Sequence, residues 1–510
     1  MRYLQTPDEA AQWLRSRVRG TLQADSRKLS AGDGFIAWPG AAVDARQFVP
    51  AALAAGAGAC LIESDGADAW AAQGDAVAAY RGLKQATAPI AAAFFGHPSR
   101  SLAVAAVTGT NGKTSTAWWL AQALGGLPPA LRQPCGLIGT LGVGQPPEPG
   151  PSARATALQG LVGTGLTTPD PVLLQRSLHA FLQSGLQACA MEASSIGIEE
   201  HRLDSTHIRT AIFTNFTQDH LDYHGTMPAY WEAKRRLFDW PGLAHAVVNV
   251  DDAKGAELAL SLRTQALDLW TVGRQADARL QARHIGYGDT GLRFDVVEGM
   301  QSVSLQTRMM GTFNVSNLLC VLGALRAFGV PLPDAARACA ELHPVPGRME
   351  CLGGVQAPLV VVDYAHTPDA LAQALAALRP VTQQRVGRLW CVFGCGGDRD
   401  PTKRPLMGAI AAKHADITVI TSDTPRSEKP DAIIAQVLLG MPPGEHGGVQ
   451  VDRAKAIAEA IARAHVNDVI LLAGKGHEST QEIAGMKNPF LDRVHAVQAL
   501  ERRPPGSSQS

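Results

Sequence analysis

Short apolar runs, each closed by a glycine-rich or polar turn and followed by helical spacing, recur through this chain. The pattern predicts α/β architecture built on parallel sheets. Its sharpest instance is Leu102–Ser115, LAVAAVTGTNGKTS. Leu102–Val107 reads as a buried strand, Thr108-Gly109 ends it, and Gly112-Lys113-Thr114 opens a helical pattern containing Trp118, Trp119 and Leu120. Upstream, a short helical pattern precedes a loop at Asp25-Ser26-Arg27, a strand between the turns of Gly32–Gly40, a helix over Gln47–Gly56 and a strand over Ala59–Glu63. Gly96-His97-Pro98 reads as a hinge into the next unit.

Beyond the glycine-rich turn, Val143–Gly165 has no period and reads as an exposed loop. Thr167-Thr168-Pro169-Asp170 caps a helix over Pro171–Ser184, and Gln187–Met191 is a strand with Glu192 at its carboxyl end. The strand Arg209–Asn215 runs into the polar stretch Phe216–Gly225, followed by a helix over Met227–Asp239 and a strand over Ala246–Val250. Arg274–Arg308 reads as irregular or antiparallel β, and Gly311–Leu319 opens an apolar helix reaching about Phe328. Pro344–Glu350 punctuates the chain. The alternation then repeats four times, with strands Leu359–Val362, Leu389–Phe393, Ile417–Thr421 and Val469–Leu472. Their following loops, Asp363–His366, Gly394–Asp400, Ser422–Arg426 and Gly474–Glu478, should gather on one edge of a parallel sheet, where open α/β sheets bind ligands.

A chain of 510 residues exceeds one ordinary core and divides into three units, 1–97, 98–345 and 346–510. Lys+Arg and Asp+Glu balance at 46 each, so no basic excess argues for nucleic acid as a partner. An anionic substrate must be held by local arginines. The eight cysteines form no CxxC pair, which argues against a zinc site or a disulfide framework; Cys391 and Cys395 read as strand residues that happen to be thiols. The charged N-terminus lacks the apolar core of a signal peptide, and no apolar run nears the ~20 residues of a membrane span. The expected compartment is the reducing cytoplasm.

A strand, a glycine-rich turn and a helix N-terminus make a phosphate cradle, because backbone N–H groups and the helix dipole both favour an anion. Lys113 would reach the outer phosphates and the Thr114 hydroxyl would bind Mg²⁺. The usual glycine five residues before Gly112 is Val107, so the cradle is the shortened Gly109-Thr110-Asn111-Gly112-Lys113-Thr114; a plain connector is the alternative. Glu192 stands where a Mg²⁺ ligand or water-positioning carboxylate would be, or is a solvated strand-end residue. Asp219, His220, Asp222 and His224 form a polar group suited to a second hard cation. Lys234, on a helix, reads by itself as a solvated charge. Asn314 and Asn317 read a base edge or cap their helix, and Asp25-Ser26-Arg27 grips a ligand or forms a turn with a cap. Gly394–Asp400, GCGGDRD, lacks the GxGxxG spacing of a dinucleotide site.

These stretches resemble the Mur ligase family, the ATP-dependent amide-forming enzymes of the peptidoglycan stem peptide. The resemblance rests on GTNGKT at Gly109–Thr114, MEASS at Met191–Ser195, NFTQDHLDYHG at Asn215–Gly225, EAKRRLF at Glu232–Phe238, FNVSN at Phe313–Asn317 and PGRME at Pro346–Glu350. DYAHTPD at Asp363–Asp369, GCGGDRD at Gly394–Asp400, DTPR at Asp423–Arg426 and GKGHE at Gly474–Glu478 continue it in family order. It implies a small N-terminal α/β domain holding UDP, a central P-loop ATPase-like domain with a mostly parallel sheet, and a C-terminal Rossmann-like domain closing over the site. The implied activity is addition of meso-2,6-diaminopimelate to the D-Glu side chain of a UDP-muramoyl-dipeptide.

The resemblance also implies residue roles. ATP would be held by Gly109, Thr110, Asn111, Gly112, Lys113, Thr114, Ser115, Asn314 and Asn317, and from the third unit by Arg348, Asp363 and His366. Mg²⁺ would be held by Thr114, Glu192, His220 and a carbamylated Lys234. Ser26, Thr167, Thr168, Ser194 and Arg202 would hold the muramoyl-dipeptide. Arg399, Asp423, Thr424, Pro425, Arg426, Gly474 and Glu478 would hold diaminopimelate. Two positions depart from the pattern: Ile196, where many relatives have His, and Thr424, where diaminopimelate-adding members usually have Asn. A lysine-adding sibling, a folylpolyglutamate synthase, which does not require this first domain, and a non-catalytic regulator are the rival readings.

Overall fold

Three α/β sheets follow one another along the chain in the computed structural model, which describes every residue except 41–42, 149–159, 289–290, 355, 443, 445–446, 504–510 and the side chain of 71. The first sheet is wholly parallel, in the order Arg2–Leu4, Val77–Tyr80, Ala59–Glu63, Gly34–Ala37, Leu22–Gln23. Two of its three interior strands, Gly34–Ala37 and Ala59–Glu63, are those expected from the sequence; the third, Val77–Tyr80, is equally apolar and buried. The helix expected over Gln47–Gly56 is instead a 3₁₀ turn, Ala45–Phe48, leading into the α-helix Val49–Ala54. Pro50 accounts for this: lacking an N–H, it fits the first turn of a helix but not its interior.

Among the described residues the second sheet has eleven strands, with Ala103–Thr108 near its middle between Thr210–Phe213 and Ala188–Glu192. Its parallel part also contains Cys135–Gly139, His245–Asn249, Asp268–Gly273 and Leu280–Tyr287. Leu292–Glu298 and Gln301–Gln306 continue one edge as the antiparallel strands expected from the period-two pattern. The loop expected over Val143–Gly165 is corrected at both ends. Gly142–Gly144 pairs antiparallel with Cys135–Gly139 and with Leu161–Val162, while 149–159 lies outside the described residues. The helices Lys113–Gly125 and Phe313–Ala327 pack on the same face, and Trp118 and Trp119 are both buried between sheet and helix. The Trp119 indole N–H donates to the His343 carbonyl at 2.9 Å, which removes the cost of burying that polar atom.

The third sheet runs Glu350–Gly353, Leu359–Asp363, Val469–Ala473, Leu389–Phe393, Ile417–Thr421, Gly448–Gln450, with only the first strand antiparallel. All four loops expected at its ligand-binding edge follow parallel strands. Two buried arginines pin that edge. Arg453 donates to Asp492 through Nε at 2.7 Å and Nη2 at 2.6 Å, and Nη2 also donates to the Ala473 carbonyl at 2.9 Å. Arg404 forks onto Glu428 at 2.8 and 2.7 Å and donates to the Gly396 carbonyl at 3.1 Å. All eight cysteines are free, and seven are buried. Among the described residues no helix is long and apolar enough to cross a membrane.

Candidate active site

The carboxyl ends of Ala103–Thr108, Ala188–Glu192 and Thr210–Phe213 open into a cleft of about 570 Å³, closed on its far side by residues of the third sheet. The turn Gly109–Gly112 forms its floor. Gly109 has φ +147°, and a Cβ there would lie 1.9 Å from Thr214 Oγ1; at Gly112, φ +84°, it would lie 2.3 Å from Asn317 Oδ1. Only glycine permits both approaches. Asn215 fastens the turn, accepting from the Asn111 N–H at 2.8 Å and donating to the Asn111 carbonyl at 3.1 Å. The helix that begins at Lys113 has no side-chain cap, so its first N–H groups remain available to an anion.

Lys113 Nζ bends over the turn and donates to the Gly109 and Thr110 carbonyls at 2.9 and 2.8 Å. Burial pushes its ammonium below the usual lysine range, against the opposing carboxylates of Glu192 and Asp219. Lys234 lies under the same turn: its Nζ donates to the Gly109 carbonyl at 2.8 Å and sits 4.4 Å from the centre of the Tyr230 ring. The reading of Lys234 as a solvated charge is therefore corrected, since the residue is 1% exposed. Burial, reinforced by the Lys113 charge, holds the amine well below its ordinary value.

Glu192 is likewise no solvated strand end. It is buried and accepts from Thr114 Oγ1 at 3.0 Å, the Thr140 N–H at 2.7 Å and Thr140 Oγ1 at 3.1 Å. His220 lines the cleft with its Nε2 3.5 Å from Asp219 Oδ2, and burial pushes its imidazole down to about 4, so the ring is neutral at pH 7. The four-residue polar group is not brought together: among the described residues no three of His, Cys, Asp and Glu converge as a metal-holding group. The short helix Leu221–His224 turns His224 away, and its Nε2 lies 3.0 Å from Ser195 Oγ. Asp219 and His220 line the cleft, whereas Asp222 and His224 do not.

From the third unit, Arg348 reaches across to Thr114 Oγ1 at 3.5 Å and stacks 4.3 Å over the Tyr364 ring. Asp363 accepts from the Met349 N–H at 2.8 Å, and burial raises its carboxyl above the ordinary range, with Arg348 opposing. His366 lines the same wall. Asn314 and Asn317 are buried in the first turn of their helix: Asn314 donates to the Met310 carbonyl at 2.7 Å and Asn317 to Asn314 Oδ1 at 2.9 Å.

The remaining expected residues lie in other places. Thr167 borders the cleft. Thr168 is fully buried and bonded to the Glu192 carbonyl at 2.8 Å and to Ser194 Oγ at 3.1 Å, and Arg202 donates to the Thr168 carbonyl at 2.9 Å. Ser26 is not in the cleft. It starts a 3₁₀ turn capped by Asp25, whose carboxylate also pairs with Arg27 at 2.8 Å, so the turn-and-cap alternative describes Asp25 and Arg27. A second, open cleft of about 790 Å³ lies beyond the strand ends of the first sheet, lined by Trp38, Glu63, Arg81 and Lys84 among others. Asp423, Thr424, Arg426, Gly474 and Glu478 meet at the edge of the third sheet, where the Tyr364 hydroxyl donates to Glu478 at 3.4 Å; Arg399 stands exposed on the neighbouring loop. Arg426 has φ +52° and donates to the Gly397 carbonyl.

Thr140, Tyr364, Asp369 and Lys475 were not singled out by the sequence reading. Tyr364, Asp369 and Lys475 lie inside the motifs DYAHTPD and GKGHE, so a signal existed for them. Thr140 follows a strand, Cys135–Gly139, that the pattern did not disclose.

Residues 107–325 match the Mur ligase middle domain and residues 347–476 the Mur ligase glutamate ligase domain. The chain is 59% identical over 504 residues to the UDP-N-acetylmuramoyl-L-alanyl-D-glutamate–2,6-diaminopimelate ligase of Acidovorax sp. (strain JS42), covering 98% of each chain. A solved structure of a ligase of that name is 34% identical, covers 94% of each chain and superposes with a TM-score of 0.62. The MurF ligase of Thermotoga maritima in complex with ADP shares the fold at 18% identity, with a TM-score of 0.65 over 96% of this chain and 98% of that one.

Proposed function

The chain belongs to the Mur ligase family, and we propose that within it this protein joins meso-2,6-diaminopimelate to the D-Glu side-chain carboxylate of UDP-N-acetylmuramoyl-L-alanyl-D-glutamate, consuming ATP. The observation that carries the reading is the single cleft in which Lys113, Thr114 and Glu192 from one sheet face Arg348, Asp363 and His366 from the next. In the first step the D-Glu carboxylate attacks the γ-phosphate, giving an acyl phosphate and ADP. The amine then adds to the acyl carbon, and the tetrahedral intermediate expels phosphate to leave the amide. Two anions meet in the first step, so its barrier is largely electrostatic, and Lys113 and Arg348 offset that repulsion. Closure of the third unit over the cleft would exclude water, which otherwise hydrolyses the acyl phosphate.

The donors present fit Mg²⁺: the Thr114 and Glu192 oxygens, bonded at 3.0 Å, with His220 lining the same cleft. Mg²⁺ needs few protein ligands, because phosphate oxygens and water complete its shell, and when bound it would neutralise phosphate charge. We further assign UDP binding to residues 1–97, with Ser26 a contact, ATP binding to 98–345, and amino-acid binding to 346–510. Thr167, Thr168, Ser194 and Arg202 would form the muramoyl-dipeptide wall. ATP and nucleotide-linked precursors are cytoplasmic, so the reaction is assigned there.

Amino-acid choice turns on Arg426. meso-Diaminopimelate carries a second carboxylate that lysine lacks, and a guanidinium fork matches it in a geometry Lys cannot reproduce. With lysine bound, Arg426 would be desolvated without its partner, a selectivity of about a hundredfold or more. Wild type should therefore use meso-diaminopimelate and barely use L-lysine in an amino-acid-dependent phosphate-release assay. Arg426→Ala should raise KM for diaminopimelate about tenfold or more while leaving KM for ATP nearly unchanged. Because the position is already left-handed with a non-glycine residue, alanine adds little backbone strain. Equal wild-type kcat/KM for the two amino acids would show the assignment to be wrong.

A further inference from the structure

Lys475 belongs to the amino-acid edge, yet the reaction above gives it no part. Its side chain is 0% exposed, in the turn after Val469–Ala473. A buried ammonium is costly unless its hydrogens are all engaged, and this one has three donors for three acceptors. Nζ donates to Thr424 Oγ1 at 3.2 Å, Glu478 Oε2 at 3.1 Å and the Thr480 carbonyl at 2.8 Å. These acceptors come from separate segments: the loop after Ile417–Thr421, Lys475's own loop, and the hairpin of Thr480–Ile483 with Met486–Pro489. The hairpin in turn grips the first loop. Gln481 Nε2 donates to the Asp423 carbonyl at 2.6 Å, and the Arg426 N–H donates to the Glu482 carbonyl at 3.0 Å.

We propose that Lys475 is a positioning residue for the incoming amino acid, a buried ammonium that sets Thr424 and Glu478 at a fixed separation. The inference rests on the assignment of diaminopimelate to this edge. Held through Oε2, Glu478 keeps Oε1, which meets the Tyr364 hydroxyl at 3.4 Å, for the substrate ammonium. Lys475 thereby gives Thr424 a defined task, since a hydroxyl that accepts from Nζ can still donate its own proton onward. Lys475 also answers a charge conflict. Asp423 and Glu478 are two half-buried or buried carboxylates at one edge, faced by Arg426, the Tyr364 hydroxyl and, more deeply, Arg453. Burial and Asp423 raise the Glu478 carboxyl, and Lys475 opposes them. Without Lys475, Glu478 would take up a proton more readily and lose its hold on an ammonium.

The test is steady-state kinetics of the full chain with meso-diaminopimelate, ATP and the UDP-muramoyl-dipeptide, for wild type, Lys475→Met and Thr424→Val. Lys475→Met should raise KM for diaminopimelate about tenfold with a much smaller change in kcat and none in KM for ATP. Because its Glu478 takes up a proton more readily, that defect should shrink as pH rises. Thr424→Val, which removes one acceptor and keeps the lysine, should move KM in the same direction by less; if Lys475→Met does not fold, Lys475→Arg, which keeps the charge but not the ammonium's three-point geometry, decides the matter by the same split between the two KM values. An unchanged KM for diaminopimelate in folded variants, or a KM for ATP rising in parallel, would overturn the positioning role while the ligase reading stood. A wild type inactive with meso-diaminopimelate would remove both.

Discussion

Lys113→Ala should leave a folded protein whose amide formation, followed as phosphate release at saturating ATP, falls by about two to three orders of magnitude. The reasoning begins with charge. A carboxylate must approach a phosphate that is already anionic, and Lys113 is a cation held over the turn by the Gly109 and Thr110 carbonyls. A contact that strengthens as negative charge develops contributes about 3–4 kcal/mol to the transition state, and in a buried cleft it is little screened. The protein should stay folded because the helix Lys113–Gly125 is held by Trp118, Trp119 and its other apolar residues, not by this amine. Thermal unfolding within a few degrees of wild type, with the activity gone, is the expected pair of results. Turnover equal to wild type would remove Lys113 from the reaction.

Lys234→Ala should cost a comparable factor, about 10²–10³ in rate, for a different reason. Lys234 is buried beside a second lysine amine, since Lys113 and Lys234 both donate to the Gly109 carbonyl. Two ammonium groups there repel, and burial with that repulsion favours a neutral Lys234 amine. A neutral amine adds to CO₂, forming the N–C bond and releasing one proton, and the product carbamate is an anion. Carbamylation would convert a like-charge pair into an opposite-charge pair and supply oxygen donors under the turn that holds Gly109. Labelled ¹³C-bicarbonate should give a carbamate carbonyl signal in wild type that disappears in Lys234→Ala. Small carboxylic acids should restore part of the lost rate. Full activity of Lys234→Ala in CO₂-depleted buffer would end the carbamate proposal.

What the chain determines by itself is local. Leu102–Ser115 announces strand, turn and helix because its apolar run, glycines and helical pattern are contiguous, and the structure places Ala103–Thr108 and Lys113–Gly125 there. Leu389–Phe393 and Ile417–Thr421 are legible to the residue, since buried parallel strands are apolar on both faces. The short strands Arg2–Leu4, Leu22–Gln23 and Leu161–Val162 were not legible, because two or three residues carry no period and become strands only through their neighbours. Site chemistry divides in the same way. The glycines of the cradle and the carboxylate ending Ala188–Glu192 are readable from their position in a motif or at a strand end. The burial of Lys234 is not, because it depends on Gly109, 125 residues away in sequence. Arg348 meets Thr114 across 234 residues, and Lys475 meets Thr424 across 51. Sequence spacing cannot express such contacts; only the packing of one sheet edge against another sets the distances, and with them the desolvation that changes what a lysine can do.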